Sequence, residues 1–169
     1  MVYWGEEGEV LKHEVVNGLL IINITISFSS VEVFVADWLP WSAEFKTGLG
    51  SIEAVVNATN LRSLSISSSM GSVSLDIEAL ELAQNCSISI STALGSVDLR
   101  VLVGPEVGCS IGAETGLGSV DKELTGFRVV REGVSYLHVR SVNYKSAEVF
   151  LSLELKTSLG SIDITARRA

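Results

Sequence analysis

Apolar residues recur at every second position through much of this chain. Ile88, Ile90, Thr92 and Leu94 alternate with Ser87, Ser89, Ser91 and Ala93; beyond Gly95-Ser96 the alternation resumes on the other parity with Val97, Leu99, Val101 and Val103. A period of two sends successive side chains to opposite faces, so each run reads as a strand with one apolar face. A parity change across two residues is the signature of a corner or bulge. The predicted unit is therefore strand, Gly-Ser bend, strand, connector. Glycine suits the bend because it reaches positive φ without a Cβ clash.

The unit repeats. Thr47-Gly48-Leu49-Gly50-Ser51-Ile52-Glu53, Thr92-Ala93-Leu94-Gly95-Ser96-Val97-Asp98, Thr115-Gly116-Leu117-Gly118-Ser119-Val120-Asp121 and Thr157-Ser158-Leu159-Gly160-Ser161-Ile162-Asp163 are copies, and Ser68-Ser69-Met70-Gly71-Ser72-Val73-Ser74 is barely altered. Two degenerate copies, Phe28-Ser29-Ser30-Val31-Glu32 and Val139-Arg140-Ser141-Val142-Asn143, fall where the spacing predicts them. The glycine slots lie at 29, 50, 71, 95, 118, 140 and 160, a spacing of 20–24 residues. Ser29 and Arg140 occupy that slot in the degenerate copies, so positive φ is not demanded of every copy.

Two architectures satisfy this pattern. In a β-solenoid each unit is one coil, and like residues stack in parallel register around a shared core. In an antiparallel meander each Gly-Ser is a two-residue hairpin turn. The recurrence of identical residues at identical phase favours the solenoid. The expectation is thus one all-β repeat domain over residues 1–169, with a cap at 1–19, seven coils over 20–166 and an irregular excursion at 122–147.

Composition narrows the function classes. With 12 basic against 20 acidic residues the formal charge is −8, leaving no basic surplus for a nucleic-acid partner. A mean hydropathy of +0.40 excludes a disordered chain. The start has neither the basic nor the apolar region of a signal peptide, and Leu19–Ile22 is too short to span a bilayer, so no membrane insertion is expected.

Stacked coils turn phases into surface columns. Three residues after the glycine slot stand Glu32, Glu53, Ser74, Asp98, Asp121, Asn143 and Asp163. This column reads either as a divalent-cation ladder, since Ca²⁺ takes carboxylate oxygens, or as a solvated acidic stripe. Cys86 and Cys109 each lie nine residues before a glycine slot. Stacking would bring them within disulfide reach, and two reduced buried cysteines fit equally. Trp38 and Trp41 form an aromatic cluster suited to stacking on a sugar ring or to covering the core. Ser63, Ser65, Ser67 and Ser69 with Ser87, Ser89, Ser91, Ser110 and Gly112 predict a flat hydroxyl-rich patch, read as a contact surface or as plain strand exterior.

Catalytic signatures are missing. His13 and His138 are the only histidines, no Cys or His pair has zinc spacing, and no Gly-x-Ser-x-Gly elbow occurs. No catalytic, cofactor or metal residue is assigned from sequence, and no cofactor is expected.

The Thr-x-Leu-Gly-Ser-Val-Asp unit resembles the adhesin-like β-solenoid domains of bacteria and archaea, and is similar to the C-terminal domain of LiaF-type cell-envelope response proteins. The resemblance covers residues 20–166. It implies a cell-envelope setting and a non-catalytic structural or interaction module presenting flat β faces to a protein or glycan. Fold analogy adds the alternative of a carbohydrate-active β-helix protein. Open strand edges at the terminal coils add self-association.

Overall fold

In the computed structural model, residues 10–26 and 39–169 are described. They form β1 (Val10–Val16), β2 (Leu19–Ile26), β3 (Trp41–Leu49), β4 (Ile52–Asn57), β5 (Leu61–Met70), β6 (Val73–Ala79) and β7 (Cys86–Leu94). The second half adds β8 (Val97–Val103), β9 (Val107–Leu117), β10 (Val120–Thr125), β11 (Phe127–Glu132), β12 (Tyr136–Ser141), β13 (Val149–Leu159) and β14 (Ile162–Arg168). The fold is all-β.

Nine strands make one sheet in the order β1-β2-β3-β5-β7-β13-β9-β12-β11, and five make the other in the order β10-β14-β8-β6-β4. Each Gly-Ser bend passes the chain from the larger sheet to the smaller. No strand pairs with the one that follows it across such a bend, which overturns the meander of hairpins. From β3 to β9 in the larger sheet, and throughout the smaller, neighbours pair in parallel with sequence-equivalent residues opposite one another. Leu155, for example, lies between Ile90 and Ala113. Antiparallel pairing occurs toward the two ends of the larger sheet, in β1–β2, β12–β9 and β11–β12.

The glycine column is enforced by this stacking. Gly71, Gly95, Gly118 and Gly160 have φ between +142° and +152°, and a Cβ on any of them would meet the carbonyl oxygen of a neighbouring glycine at 1.9–2.1 Å. The same carbonyls accept hydrogen bonds from buried threonines: Thr92 Oγ1 donates to Gly71 at 3.2 Å, Thr157 Oγ1 to Gly95 at 3.0 Å and Thr115 Oγ1 to Gly160 at 2.8 Å. These bonds satisfy hydroxyls that burial would otherwise leave costly. The core lies between the sheets, where Ile88, Ile90, Leu153 and Leu155 face Val97, Leu99 and Ile162, all at 1% exposure or less. Each such side chain contributes about 2 kcal/mol of burial free energy.

Strand order departs from chain order. The last unit, β13–β14, lies between β7–β8 and β9–β10. Ser96 and Ser119 are therefore not neighbours; Ser161 stands between them, its carbonyl accepting from Val97 and its hydroxyl from Ser119 Oγ at 3.4 Å. Residues 126–148, between β10 and β13, carry this rearrangement. After β10 the chain forms the β11–β12 hairpin on the far side of β9, then crosses back over Gly108, where a Cβ would meet Phe150 and Ala147 within 3 Å. Asn143 Nδ2 donates to the carbonyls of Pro105 and Val107, and Phe150 N donates to Asn85 Oδ1 at 3.0 Å.

The degenerate copy at 139–143 makes no bend at its glycine slot; its turn comes later, where Tyr144 N donates to the Ser141 carbonyl at 3.1 Å. Val139, Arg140 and Ser141 belong to antiparallel β12, and Ser141 Oγ is buried, accepting from Cys109 N at 2.9 Å. Arginine is tolerated in that slot because no turn is made there. The copy at 28–32, with Glu32, lies outside the described residues.

Candidate interaction face

The outer surface of the larger sheet is built from side chains that alternate with the core residues. Parallel register aligns them in rows across β3, β5, β7, β13 and β9. The first row is Ser42, Ser63, Ser87, Ser152 and Ser110, with Ser63 Oγ donating to Ser42 Oγ at 2.9 Å. The second is Glu44, Ser65, Ser89, Glu154 and Gly112; the third is Lys46, Ser67, Ser91, Lys156 and Glu114. A fourth, next to the bends, is Gly48, Ser69, Ala93, Ser158 and Gly116. The hydroxyl patch expected from sequence is present but not uncharged, because β13 enters it with Glu154 and Lys156.

At the β12 side the rows continue into Arg140, His138 and Tyr136, which pair with Ser110, Gly112 and Glu114. Here the face dips into an open depression of about 290 Å³ whose lining includes Glu114, Arg131, Tyr136, His138, Glu154 and Lys156. Gly112 makes the dip, since a Cβ there would crowd the Glu154 carboxylate at 3.2 Å. Ser110 Oγ and His138 Nε2 are hydrogen-bonded at 3.0 Å, and the Arg131 guanidinium lies 4.8 Å from the Tyr136 ring centre. Sequence reading missed this group. Its residues come from four strands, β9, β11, β12 and β13, and no local motif joins them.

Along the bend edge, the apolar residue that precedes Gly71, Gly95, Gly160 and Gly118 faces outward rather than inward. Met70, Leu94, Leu159 and Leu117 are 42–70% exposed and stand in consecutive units. The predicted inward run Ile88, Ile90, Thr92, Leu94 holds only as far as Thr92, because the chain turns the corner after it.

The smaller sheet presents a charged face. Its first row is Glu53, Ser74, Asp98, Asp163 and Asp121, one strand spacing apart. Asp98 and Asp121 flank Asp163 rather than each other. Burial, then the Asp98 and Asp121 charges, push the Asp163 carboxyl above its usual range. Among the described residues no group of three or more His, Cys, Asp or Glu is arranged to hold a metal ion. Farther along the strands, Arg167 Nη2 meets Glu123 at 2.8 Å and Arg100 lies 3.7 Å from Asp76.

Cys86 and Cys109 are free and buried. Both pair with Leu151, one on each side, so two strand spacings (about 9.6 Å) separate them and a disulfide is out of reach. Burial pushes the Cys86 thiol up to about 12 and Cys109 higher still. Trp41 is 6% exposed and belongs to the core, so its ring offers no face to a sugar. Trp38 lies outside the described residues. Among the described residues no helix is long and apolar enough to cross a membrane.

These features define an all-β module of two sheets, one face small and hydroxylated, the other acidic. Its fold is similar to that of a crystal structure described as a "putative cell adhesion protein" from Clostridium sporogenes, with a TM-score of 0.68 at 18% identity over 94% of this chain and 76% of that one. No family model matches the chain. No curated protein matches it either.

Proposed function

We propose that this protein is a non-catalytic, adhesin-like interaction module of the β-solenoid type, which presents the outer face and bend edge of its larger sheet to a protein or glycan partner at the cell envelope. The observation that carries the reading is the ridge of Met70, Leu94, Leu159 and Leu117. An apolar residue stands half-exposed or more open there in four stacked units, and an exposed apolar strip beside polar rows is typical of a contact surface. The adjoining depression supplies an aromatic ring, two carboxylates and three cationic or imidazole groups, a set suited to polar recognition at the rim of a contact. The likeness to a described adhesion protein supports the reading at the level of fold.

The test is a glycan array together with immobilised envelope polysaccharide, probed with the wild type and with Leu94→Ser/Leu159→Ser and Tyr136→Ala. The proposal expects binding that falls about tenfold or more in the variants while circular dichroism is unchanged, as for residues at the centre of a contact. Release of new reducing ends from a polysaccharide would overturn the non-catalytic assignment. Binding untouched by both variants would remove this face as the site.

A further inference from the structure

We infer that the outer face of the larger sheet pairs with the same face of a second copy of this chain, about a two-fold axis that lies in the plane of the sheet and runs across its strands. The inference deepens the proposed function by naming a partner for that face. It stands on the way charge is distributed there.

Glu44 and Lys46 lie on β3, and Glu154 and Lys156 lie on β13. Between the two strands run only serines, on β5 and β7. Each acid sits in the second row and each base in the third, about 6.6 Å apart along the strand, and the two pairs are about 14 Å apart across it. A two-fold axis midway between these rows exchanges them. Glu44 then faces Lys46 of the second copy, and Glu154 faces its Lys156, with the reciprocal contacts completing four ion pairs. Serine faces serine on β5 and β7. Glu114, in the base row on β9, faces Gly112 of the second copy, over which that copy's Glu154 carboxylate leans. The all-serine first row meets the small fourth row of Gly48, Ser69, Ala93, Ser158 and Gly116. Across β3, β5, β7 and β13 no like-charged pair is brought together, as an isologous contact requires; on β9 the approach of Glu114 to the second copy's Glu154 is set against the four ion pairs.

Moving the axis by half a row, which slides the second copy by one row, would set Lys46 against Lys46 or Glu44 against Glu44, so the charges also fix the register. In the single chain Lys46 and Glu44 satisfy one another at 2.8 Å, both well exposed. Such a surface pair is worth little, so exchanging it across the interface costs little. The smaller sheet has no comparable symmetry, since its first row is almost wholly acidic and would repel its own image. Five strands by four rows cover roughly 600 Å² per copy, about 1,200 Å² in all, which is the lower limit for a specific complex. The pairing is therefore expected to be weak, reversible and sensitive to salt.

Analytical ultracentrifugation across micromolar to millimolar protein tests this. The wild type should show a monomer–dimer equilibrium that weakens about tenfold or more between ~50 mM and ~500 mM salt. Lys46→Glu/Lys156→Glu makes the face wholly acidic, and Glu44→Lys/Glu154→Lys makes it basic but for Glu114. Each should be monomeric alone, and an equimolar mixture should form a heterodimer. A wild type that stays monomeric at millimolar concentration, a dimer indifferent to these reversals, or reversed variants that fail to associate when mixed would each overturn the inference. Circular dichroism confirms that the variants fold, and Ser89→Arg, at the centre of the face, should abolish the dimer by bulk alone. A monomer that still binds glycan through the Leu94 ridge would overturn the pairing and leave the proposed function standing.

Discussion

At the residue scale the bend glycines do two jobs that a sequence shows only in part. Positive φ was legible from Gly-Ser at a change of parity. The close approach of one glycine to the next carbonyl was not, because it depends on which unit lies alongside. The two effects separate experimentally. In Gly95→Ala the new Cβ would lie 2.1 Å from the Gly71 carbonyl oxygen, so the stack itself must open, and a loss of about 3 kcal/mol or more in urea unfolding is expected. In Gly50→Ala the nearest neighbour of the new Cβ among the described residues, Thr47 Oγ1, is 3.8 Å away, so what they oppose to it is the strain of φ +131°, about 1–2 kcal/mol. The cysteines give a second residue-level test. With Cys86 and Cys109 at 3% and 0% exposure and their thiolates disfavoured by burial, neither should react with a thiol reagent at pH 8 until the chain is unfolded, when both should. Reduction should leave the mass unchanged.

At the scale of elements, β14 takes its place between β8 and β10 at an electrostatic cost. Asp163 is held between Asp98 and Asp121, and its folded carboxyl binds a proton more tightly than it does in the unfolded chain. The folded state therefore gains from this group at low pH, and the gain is lost as pH rises from the unfolded value of 3.8 through the higher folded one. Asp163→Asn should raise the melting temperature at pH 7 by about 1–3 °C, a small effect because the site is well solvated. The advantage should vanish near pH 3 and shrink in high salt. Thermal melts of the two proteins across pH decide this. An advantage that grew as pH fell would assign Asp163 a stabilising partner instead.

At the scale of the molecule, the C-terminal unit is an interior one. In a linear stack the last repeat can be removed with little damage to the rest. Here β13 supplies the hydrogen-bonding partner for one edge of β7 and one edge of β9, and Leu151, Leu153 and Leu155 fill the core between them. Truncation after residue 147 should therefore abolish cooperative unfolding instead of trimming one unit. Hydrogen exchange should find residues 151–157 among the most protected in the chain despite their place near its end. Rapid exchange there, or a folded truncation product, would contradict the strand order.

The amino-acid sequence by itself determined the unit: its strands, its bend and its apolar phase. These follow from local periodicity and from the stereochemistry of glycine, and both act over a few residues. Parallel stacking was also legible, since identical residues at identical phase are what in-register pairing requires. Only the tertiary structure decided which unit lies beside which. Because the copies share the same residues at the same phase, their contacts are nearly interchangeable, and no local preference distinguishes β9 from β13 as the neighbour of β7. That order separates Cys86 from Cys109, puts Asp163 between Asp98 and Asp121, and carries Glu154 and Lys156 into the serine face. The candidate surface was half visible for the same reason: its hydroxyls are periodic along the chain, whereas its charges and its depression arise from strands that meet only when the chain turns back through its own sheet.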